Sequence, residues 1–208
     1  MNTDISFPYS KNVPLRGGID VPVSAREEVS APLPMAIDPV LTRVAVELTI
    51  AKNHATSSTI QPCLNALQKL ISLDCVFVAL FGSNKSRIEW VAASKYRYEH
   101  CNPYELVGSR QPCNAELSQR LLRGQSLDIR DCTNMRGEYG EFCSHMLPLN
   151  LCSMLVGGIA IDDQLTGLIA FGTLHHRQRW DMEIHLIMKL ITASYAAGYE
   201  RYQMSIAG

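Results

Sequence analysis

Hydrophobic residues form their clearest pattern in the last quarter of the chain. Two apolar runs of strand length, residues 151–161 and 165–174, are separated by the polar triplet 162–164, which predicts a β-hairpin. Apolar residues then recur at intervals of three and four, the period of one helix face. They are Trp180, Ile184, Ile187, Ile191 and Tyr195. The pattern predicts a long helix that packs back on the hairpin.

Two more helices are predicted nearer the N-terminus. Asp38 followed by Pro39 is typical of a helix start, because an Asp side chain caps the first turn and a proline there loses no hydrogen bond. Apolar residues at three- and four-residue intervals continue this helix to about Lys52. In the next segment Ser58 and Gln61 have the spacing of a capping box and open a second amphipathic helix.

The middle of the chain alternates between strand-like and irregular segments. The continuous apolar run 75–82 predicts a central strand buried on both faces, and residues 87–96 predict its neighbour. Asn114 can cap a short helix that ends near Gly124, and a brief strand follows at 127–130. The segments on either side of this piece have no clear period and predict loops. The order of elements predicts an α+β fold, with an antiparallel sheet that carries long helices on one face and loops on the other.

Composition divides the chain into a leader and one globular domain. Residues 1–36 contain five prolines and no helical or alternating period, so we expect a flexible leader there. A domain at 37–203 and a short tail at 204–208 follow. At 47% hydrophobic and 19% charged residues, the domain has enough apolar side chains for one core.

Charge and cysteine usage narrow the classes of function. A formal net charge of -1 provides no basic field for phosphates, which disfavours nucleic-acid binding. No apolar segment is long enough to span a membrane and the N-terminus does not resemble a signal peptide, so we expect a cytoplasmic protein without a membrane partner. Seven cysteines without tight repeat spacing are expected to be reduced thiols, and no Cys and His spacing predicts a metal site.

Several sequence features together resemble a GAF domain, over residues 39–202. They are a small-residue-led strand (CSMLVGGIAI), a polar turn, a strand of the type GLIAFGTL, Arg179 with Trp180 at the next helix start, and a long helix that ends in Glu200 and Arg201. The segment LSQRLLRGQSLDIRD is also similar to the family's pattern of helix, glycine, strand and aspartate. Gly158 departs from the family, in which many members carry a proline at this position.

The resemblance implies a sheet of about six antiparallel strands and a small-molecule pocket between the sheet and loops 97–114 and 131–150. It also implies a sensory or regulatory domain of bacterial-type signal transduction, with an unidentified small-molecule ligand and an unknown cofactor. We expect the ligand to contact side chains of these loops and of the adjoining strands. They are Trp90, Ala92, Ser94, Tyr96, Asp131, Met135, Tyr139, Phe142 and Ser153.

In GAF proteins the first and last helices commonly pair across a dimer. Both predicted end helices carry an apolar stripe here, and we expect these stripes to face each other within one chain or between the two chains of a homodimer. The residues are Leu41, Val44, Leu48, Ile187, Ile191 and Tyr195. The terminal helices would then transmit the ligand state, either in a stand-alone domain or to a covalently linked output domain beyond residue 208.

An enzymatic alternative follows from the same resemblance. Free methionine-(R)-sulfoxide reductases are stand-alone GAF proteins in which a thiolate attacks the sulfoxide and a second thiol resolves the intermediate as a disulfide. The candidate thiols here are Cys101, Cys113, Cys132 and Cys143. The string QPCNAE lacks the glycine-rich context of those enzymes, so we favour a non-enzymatic role.

Two further alternatives concern the ligand itself. In bilin-binding relatives a cysteine directly followed by a histidine carries the chromophore, whereas Ser144 separates Cys143 from His145 in this chain. That spacing disfavours bilin attachment. The domain could also lack a ligand altogether and serve only as a dimerisation scaffold.

Overall fold

The computed structural model describes residues 38–51, 57–95, 101–175 and 178–207. The helices are α1 (Pro39–Ile50), α2 (Ser57–Leu70), α3 (Ala115–Leu122), α4 (Gly140–Met146) and α5 (Met182–Ala207), with short 3-10 helices at Pro103–Leu106 and Leu147–Leu149. The strands are β1 (Cys75–Phe81), β2 (Ile88–Ala93), β3 (Leu127–Ile129), β4 (Ser153–Ile161) and β5 (Gln164–Thr173). The predicted leader at 1–36 lies outside the described residues, as does Tyr96, one of the expected ligand contacts.

The five strands form one antiparallel sheet in the order β2-β1-β5-β4-β3. This confirms the predicted α+β fold, but the sheet has five strands where about six were expected. In the described part of the segment between β2 and α3, pairing is limited to one bridge between Arg87 and Arg110. Pro103 and Pro112 cannot donate to a strand ladder, and Gly108 has a φ of +85° that interrupts extended backbone. These residues explain why no sixth strand forms there.

The centre of the sheet follows the prediction closely. β1 lies between β2 and β5, and all of its residues are buried, which confirms the predicted central strand. β4 and β5 form the predicted hairpin. Its turn residues Asp162 and Asp163 have φ angles of 50° and 56°. Positive φ at both positions is the geometry of a type I′ turn, whose twist matches that of the strands it joins.

The sheet separates two apolar cores. On one side, here called the helix face, α1, α2 and α5 cover side chains such as Val78 and Phe171. On the opposite side, here called the loop face, α3, α4 and the connecting segments cover side chains such as Phe77 and Ala79. Neighbouring residues of β1 therefore contribute to different cores, as the alternation of side chains along a strand requires.

Two of the predicted helix caps are present. Asp38 accepts a hydrogen bond of 2.6 Å from the backbone amide two residues later, and Asn114 accepts one of 3.0 Å from the amide three residues later. The predicted capping box of α2 does not form, because the side-chain amide of Gln61 donates to the carbonyl oxygen of Ala93 at 3.1 Å. Gln61 therefore ties α2 to β2 instead of capping its own helix.

The structure differs from the prediction at α4 and at both ends of α5. The sequence predicts a loop over residues 131–148, but Gly140–Met146 forms a helix whose Phe142 and Met146, four residues apart, are buried on the loop face. α5 begins at Met182, so Trp180 precedes the helix, and it continues to Ala207, through most of the predicted tail.

Candidate functional site

The space between the sheet and the loops, where the pocket was expected, is filled by protein side chains. Phe77 of β1, Phe142 and Met146 of α4, and Leu149 are all between 0% and 3% exposed and belong to the loop-face core. Protein interiors are packed about as densely as organic crystals, so side chains in such a core leave little room for a ligand.

Two expected ligand contacts lie on the helix face instead. Trp90 and Ala92 belong to the core covered by α1, α2 and α5. The pairing of β1 with β2 shifts between Leu80 and Phe81, so Ile88 lies on the loop face although it is only two residues from Trp90. Trp90 and Ala92 therefore lie on the side of the sheet away from the loops, and a ligand role for either residue stays a prediction.

Two expected contacts are buried serines that complete hydrogen bonds to the backbone. The Ser94 hydroxyl accepts from the amide of Val76 at 3.1 Å. The Ser153 hydroxyl lies 2.7 Å from that of Thr173 and accepts from the amide of Gln178 at 2.9 Å. Buried polar groups are usually satisfied in this way, so these contacts account for both serines structurally. A ligand role for either stays a prediction.

The remaining expected contacts lie between β3 and the end of α4. Asp131 accepts hydrogen bonds of 3.0 Å and 2.6 Å from the amide and hydroxyl two residues later, which closes a local turn. Met135 is 37% exposed. The Tyr139 hydroxyl accepts from the Arg120 guanidinium at 3.0 Å, which links this segment to α3. Phe142 belongs to the loop-face core and Tyr139 packs against it, and a ligand role for these four side chains stays a prediction.

Three of the candidate thiols are buried, and two of them bond to each other. Cys101, Cys132 and Cys143 are 0%, 7% and 1% exposed. Cys101 forms a hydrogen bond with Cys75, and Cys132 forms one with Cys143. The hydrogen bond to Cys143, together with burial, raises the pKa of Cys132. The same hydrogen bond lowers the pKa of Cys143. Cys132 is therefore the donor, because a hydrogen bond raises the pKa of the thiol that donates it. Both pairs belong to the loop-face core.

Cys113 is the candidate thiol that lines a cleft. Burial raises its pKa to about 12, so the thiol is protonated near neutral pH and is a poor nucleophile. Among the described residues that line this cleft, no other cysteine occurs. Reductase chemistry needs an attacking thiolate and a resolving thiol close together, and this arrangement does not favour it.

The cleft has a volume of about 650 Å³ and opens where the start of β2, the segment before α3 and the first turn of α4 meet. Short antiparallel pairing frames it, with the Gln111 amide donating to the Ser86 carbonyl at 2.9 Å. The Arg87 guanidinium donates to the carbonyl oxygen of Gly108 at 2.7 Å. The lining residues are Ser86, Arg87, Arg110, Gln111, Cys113, Asn114, Ala115 and Glu141.

Sequence reasoning missed most of the polar groups of this cleft. Arg110, Gln111 and Glu141 fall within the predicted pocket segments but were not singled out, and Arg87 lies outside them. Arg87 and Arg110 are brought together by loop pairing, for which the sequence contains no periodic signal.

A smaller cavity of about 350 Å³ lies between the turn after α3, β4 and α5. β3 pairs only with Met154–Val156, so among the described residues β4 has no partner on this side from Gly157 onward. A Cβ atom on Gly157 would lie 2.6 Å from Cγ2 of Thr192 in α5, and one on Gly158 would lie 2.8 Å from Cβ of Leu121 in α3. Two successive glycines therefore let α5 and α3 approach β4 closely on its two faces.

The residues expected at a dimer interface lie inside one chain. Leu41 is half-buried, and the other five are between 0% and 9% exposed within the helix-face core. The two apolar stripes therefore face each other and the sheet within one chain, which is one of the two arrangements expected, and pairing of these residues across a dimer stays a prediction. Other apolar side chains of the end helices are exposed. They are Val46 (51%) and Ile50 (62%) on α1, and Met182 (74%), Leu186 (58%), Leu190 (41%), Met204 (65%) and Ile206 (61%) on α5.

The described part of the chain offers little else for a cofactor. Within it, no three His, Cys, Asp or Glu side chains cluster as metal ligands would, and no helix has the length and apolarity needed to cross a membrane. The residues that line the larger cleft include two arginines, one glutamate, a glutamine, an asparagine and Cys113, whose thiol is protonated near neutral pH.

No protein-family model matches the chain, and no curated protein matches its sequence. Solved structures match its fold. The phycocyanobilin-bound GAF domain from a cyanobacterial phytochrome has a TM-score of 0.60 at 16% identity, over 80% of this chain and 94% of that chain. The GAF domain of the cyanobacteriochrome TePixJ has a TM-score of 0.55 at 20% identity, with coverages of 74% and 94%. The GAF domain from Acinetobacter phosphoenolpyruvate-protein phosphotransferase has a TM-score of 0.56 at 10% identity, with coverages of 81% and 96%. Identities this low establish likeness of fold alone, and the chain has the GAF fold.

Proposed function

We propose that this protein is a sensory or regulatory domain that binds a small molecule in the cleft lined by Arg87, Arg110 and Glu141. The observation that carries the proposal is the cleft itself, whose volume of about 650 Å³ lies within the range of small-molecule sites. Its polar groups come from residues 86–87, residues 110–115 and Glu141, which are distant in sequence. A ligand that contacts all three segments would therefore change their relative positions. Solved domains of the same fold carry phycocyanobilin or biliverdin.

A bilin is not part of this proposal. Cys143, the cysteine nearest to the bilin-type pattern, is 1% exposed and its thiol is bonded to Cys132. A chromophore attached there would have to displace Phe142 and other residues of the loop-face core. The cleft needs no such displacement, because its volume is already open.

Transmission from the cleft to the end of the chain has a physical route. Asn114 and Ala115 connect the cleft to α3, and Leu121 of α3 packs against Gly158 of β4. The preceding residue, Gly157, is in equally close contact with α5 on the other face. A shift of α3 would therefore displace β4 at Gly157 and Gly158, and through them α5, because closely packed groups transmit displacement.

A ligand screen with a mapped response tests the binding function. Nucleotides, amino acids, organic acids and tetrapyrroles would each be added while thermal unfolding is followed, because a ligand at 100 times its dissociation constant adds about 2.7 kcal/mol of stability. For any ligand that binds, hydrogen exchange should slow over residues 86–88, 108–117 and 139–146. Protection elsewhere would refute the cleft as the site. A response to none of the four classes would favour the dimerisation scaffold.

We also propose that the end helices form a homodimer through their exposed apolar side chains. Leu186 and Leu190 lie one turn apart on α5, and Val46 and Ile50 are similarly spaced on α1, so each helix presents a stripe that its own sheet does not cover. Leu186→Glu should convert a dimer to a monomer in analytical ultracentrifugation. Gln119→Glu, an exposed change on α3 with the same added charge, is the control and should leave the dimer intact. A wild-type protein that stays monomeric at tens of micromolar would contradict this part.

A further inference from the structure

Two arginines stand side by side at the larger cleft. Arg87 and Arg110 oppose each other in an isolated antiparallel bridge. The hydrogen bond of 2.9 Å from the Gln111 amide to the Ser86 carbonyl helps to fix this pairing. Residues directly opposite each other in an antiparallel pair have Cβ atoms about 5 Å apart and project to the same side. Both side chains line the cleft.

This arrangement places like charges together, and neither arginine forms an ion pair with a described carboxylate. The ion pairs among the described residues join Arg43 to Glu47, Arg120 to Glu138 and Arg130 to Asp128, so none involves Arg87 or Arg110. Like charges directly opposite each other destabilise a strand pair. The Arg87 guanidinium donates one of its five N–H groups to a carbonyl oxygen, which holds it in place. An anion between the two guanidiniums would remove the repulsion.

We propose that the cleft binds its ligand through a carboxylate or phosphate group held between Arg87 and Arg110. Guanidinium groups recognise such groups with parallel, charge-assisted hydrogen bonds. α3 also begins at this cleft, at Ala115, and the first amides of a helix lack intrahelical acceptors and favour negative charge. The inference rests on the proposed function, because it assigns a ligand class to the same cleft.

Glu141 limits the charge that the ligand can carry. Its carboxylate lines the same cleft from the first turn of α4. The two guanidiniums and this carboxylate leave one positive charge in excess, which suits a ligand with a single anionic group. A hydroxyl or ammonium group elsewhere on the ligand would fit beside Glu141, since a carboxylate accepts hydrogen bonds. The ligand class is therefore a small monoanionic metabolite with a hydrogen-bond donor.

Titrations with two simple anions test the inference. Inorganic phosphate and lactate would each be added to the full chain at constant ionic strength, with sodium chloride as the reference, and binding followed by two-dimensional NMR. The two arms distinguish a preference for phosphate from one for carboxylate. Arg110→Gln and Arg87→Gln should each weaken binding of the preferred anion about tenfold or more, the loss expected for a charge-assisted hydrogen bond. Arg110→Lys keeps the charge but not the planar donor geometry and should fall between wild type and Arg110→Gln.

Two further variants show whether charge in the cleft is responsible. Arg136→Gln removes an exposed arginine from the loop before α4, outside the cleft lining, and should change binding by less than about twofold. Glu141→Gln removes the negative charge from the cleft and should strengthen binding of phosphate. Equal affinities for wild type and Arg110→Gln, or weaker phosphate binding by Glu141→Gln, would overturn the inference.

The inference and the proposed function fail in different ways. If an uncharged molecule protects the cleft in hydrogen exchange while both anions leave the spectrum unchanged, the anion inference is overturned and the binding function stands. If the anions bind and the response maps outside residues 86–88, 108–117 and 139–146, both are overturned.

Discussion

The reactivity of Cys113 offers a direct check on the chemistry of the cleft. Burial raises the pKa of this thiol from 9.0 to about 12. Because the thiolate is the nucleophile, alkylation by iodoacetamide should be slow at neutral pH and should keep accelerating as the pH rises. An ordinary thiol would instead reach its maximal rate soon after pH 9.

The size of the effect follows from the two pKa values. At pH 8 a thiol with a pKa of 9.0 is about one-tenth ionised, and one with a pKa of about 12 is about one ten-thousandth ionised, so the thiolate population is about a thousandfold lower. The pKa of Cys113 is higher in the folded protein than in the unfolded chain, so ionisation of this thiol opposes folding. The stability that the protonated thiol contributes is fully present below about pH 9 and is lost as the pH rises from about 9 to 12.

Mass spectrometry of peptides after timed alkylation between pH 7 and pH 10 measures the rate at Cys113 separately from the other thiols. The logarithm of the rate should rise with a slope of about one per pH unit and show no plateau in this range. Cys113→Ser identifies the peptide signal, and glutathione provides the rate of an unperturbed thiol. A plateau below pH 9, or labelling as fast as that of glutathione at pH 8, would refute the assignment of a protonated thiol and revive the reductase alternative.

Three stability predictions test the fold around the site. Gly167→Ala would place a Cβ 2.4 Å from the carbonyl oxygen of Ala79 and should lower the free energy of unfolding in urea by about 1 to 3 kcal/mol. In Gly137→Ala the new Cβ would lie 3.0 Å from the flexible side chain of Asn134 and 3.7 Å from its backbone oxygen, so this variant should change the free energy by less than about 0.5 kcal/mol. Similar losses for the two variants would argue against the close approach of β5 to β1. Asp163→Gly should raise the melting temperature, because glycine relieves a φ of 56°, and a lower melting temperature would argue against the type I′ turn. Asp38→Ala should cost about 1 kcal/mol in thermal unfolding, and Asp38→Asn should retain most of that stability if the side chain is the cap.

Elements with strong local signals were predictable from the sequence. The hairpin turn at 162–163 and the caps at Asp38 and Asn114 depend on residues within three positions of each other, so the sequence alone specifies them. α4 was missed because it has only seven residues and its N-cap, Tyr139, forms no side-chain capping bond. A short helix of this kind is stabilised by burying Phe142 against the sheet, which local patterns do not show.

The candidate site was less predictable because it depends on pairing between distant segments. The shift in register between β1 and β2 decides that Trp90 lies on the helix face, and only the partner strand reveals it. The apolar stripes of α1 and α5 were correctly identified, but their period does not show whether they face their own sheet or a second chain. Arg87 and Arg110 are neighbours only because the intervening segment folds back on β2.

Packing energetics explain why we propose the cleft, and not the loop face, as the ligand site of this protein. Removing a buried Phe side chain from a core destabilises a protein by about 3 to 5 kcal/mol, and a whole domain is stable by only about 5 to 15 kcal/mol. A space large enough for a tetrapyrrole on the loop face would require at least Phe142 and Met146 to leave the core. Their displacement would cost a large part of the stability of the domain before any contact with the ligand forms. The cleft near Arg110 already has its volume and its charges in place, so binding there is opposed by little reorganisation. A modest affinity for a small anion is then enough to occupy the cleft. A ligand of the loop face would first have to displace the side chains that fill the core there.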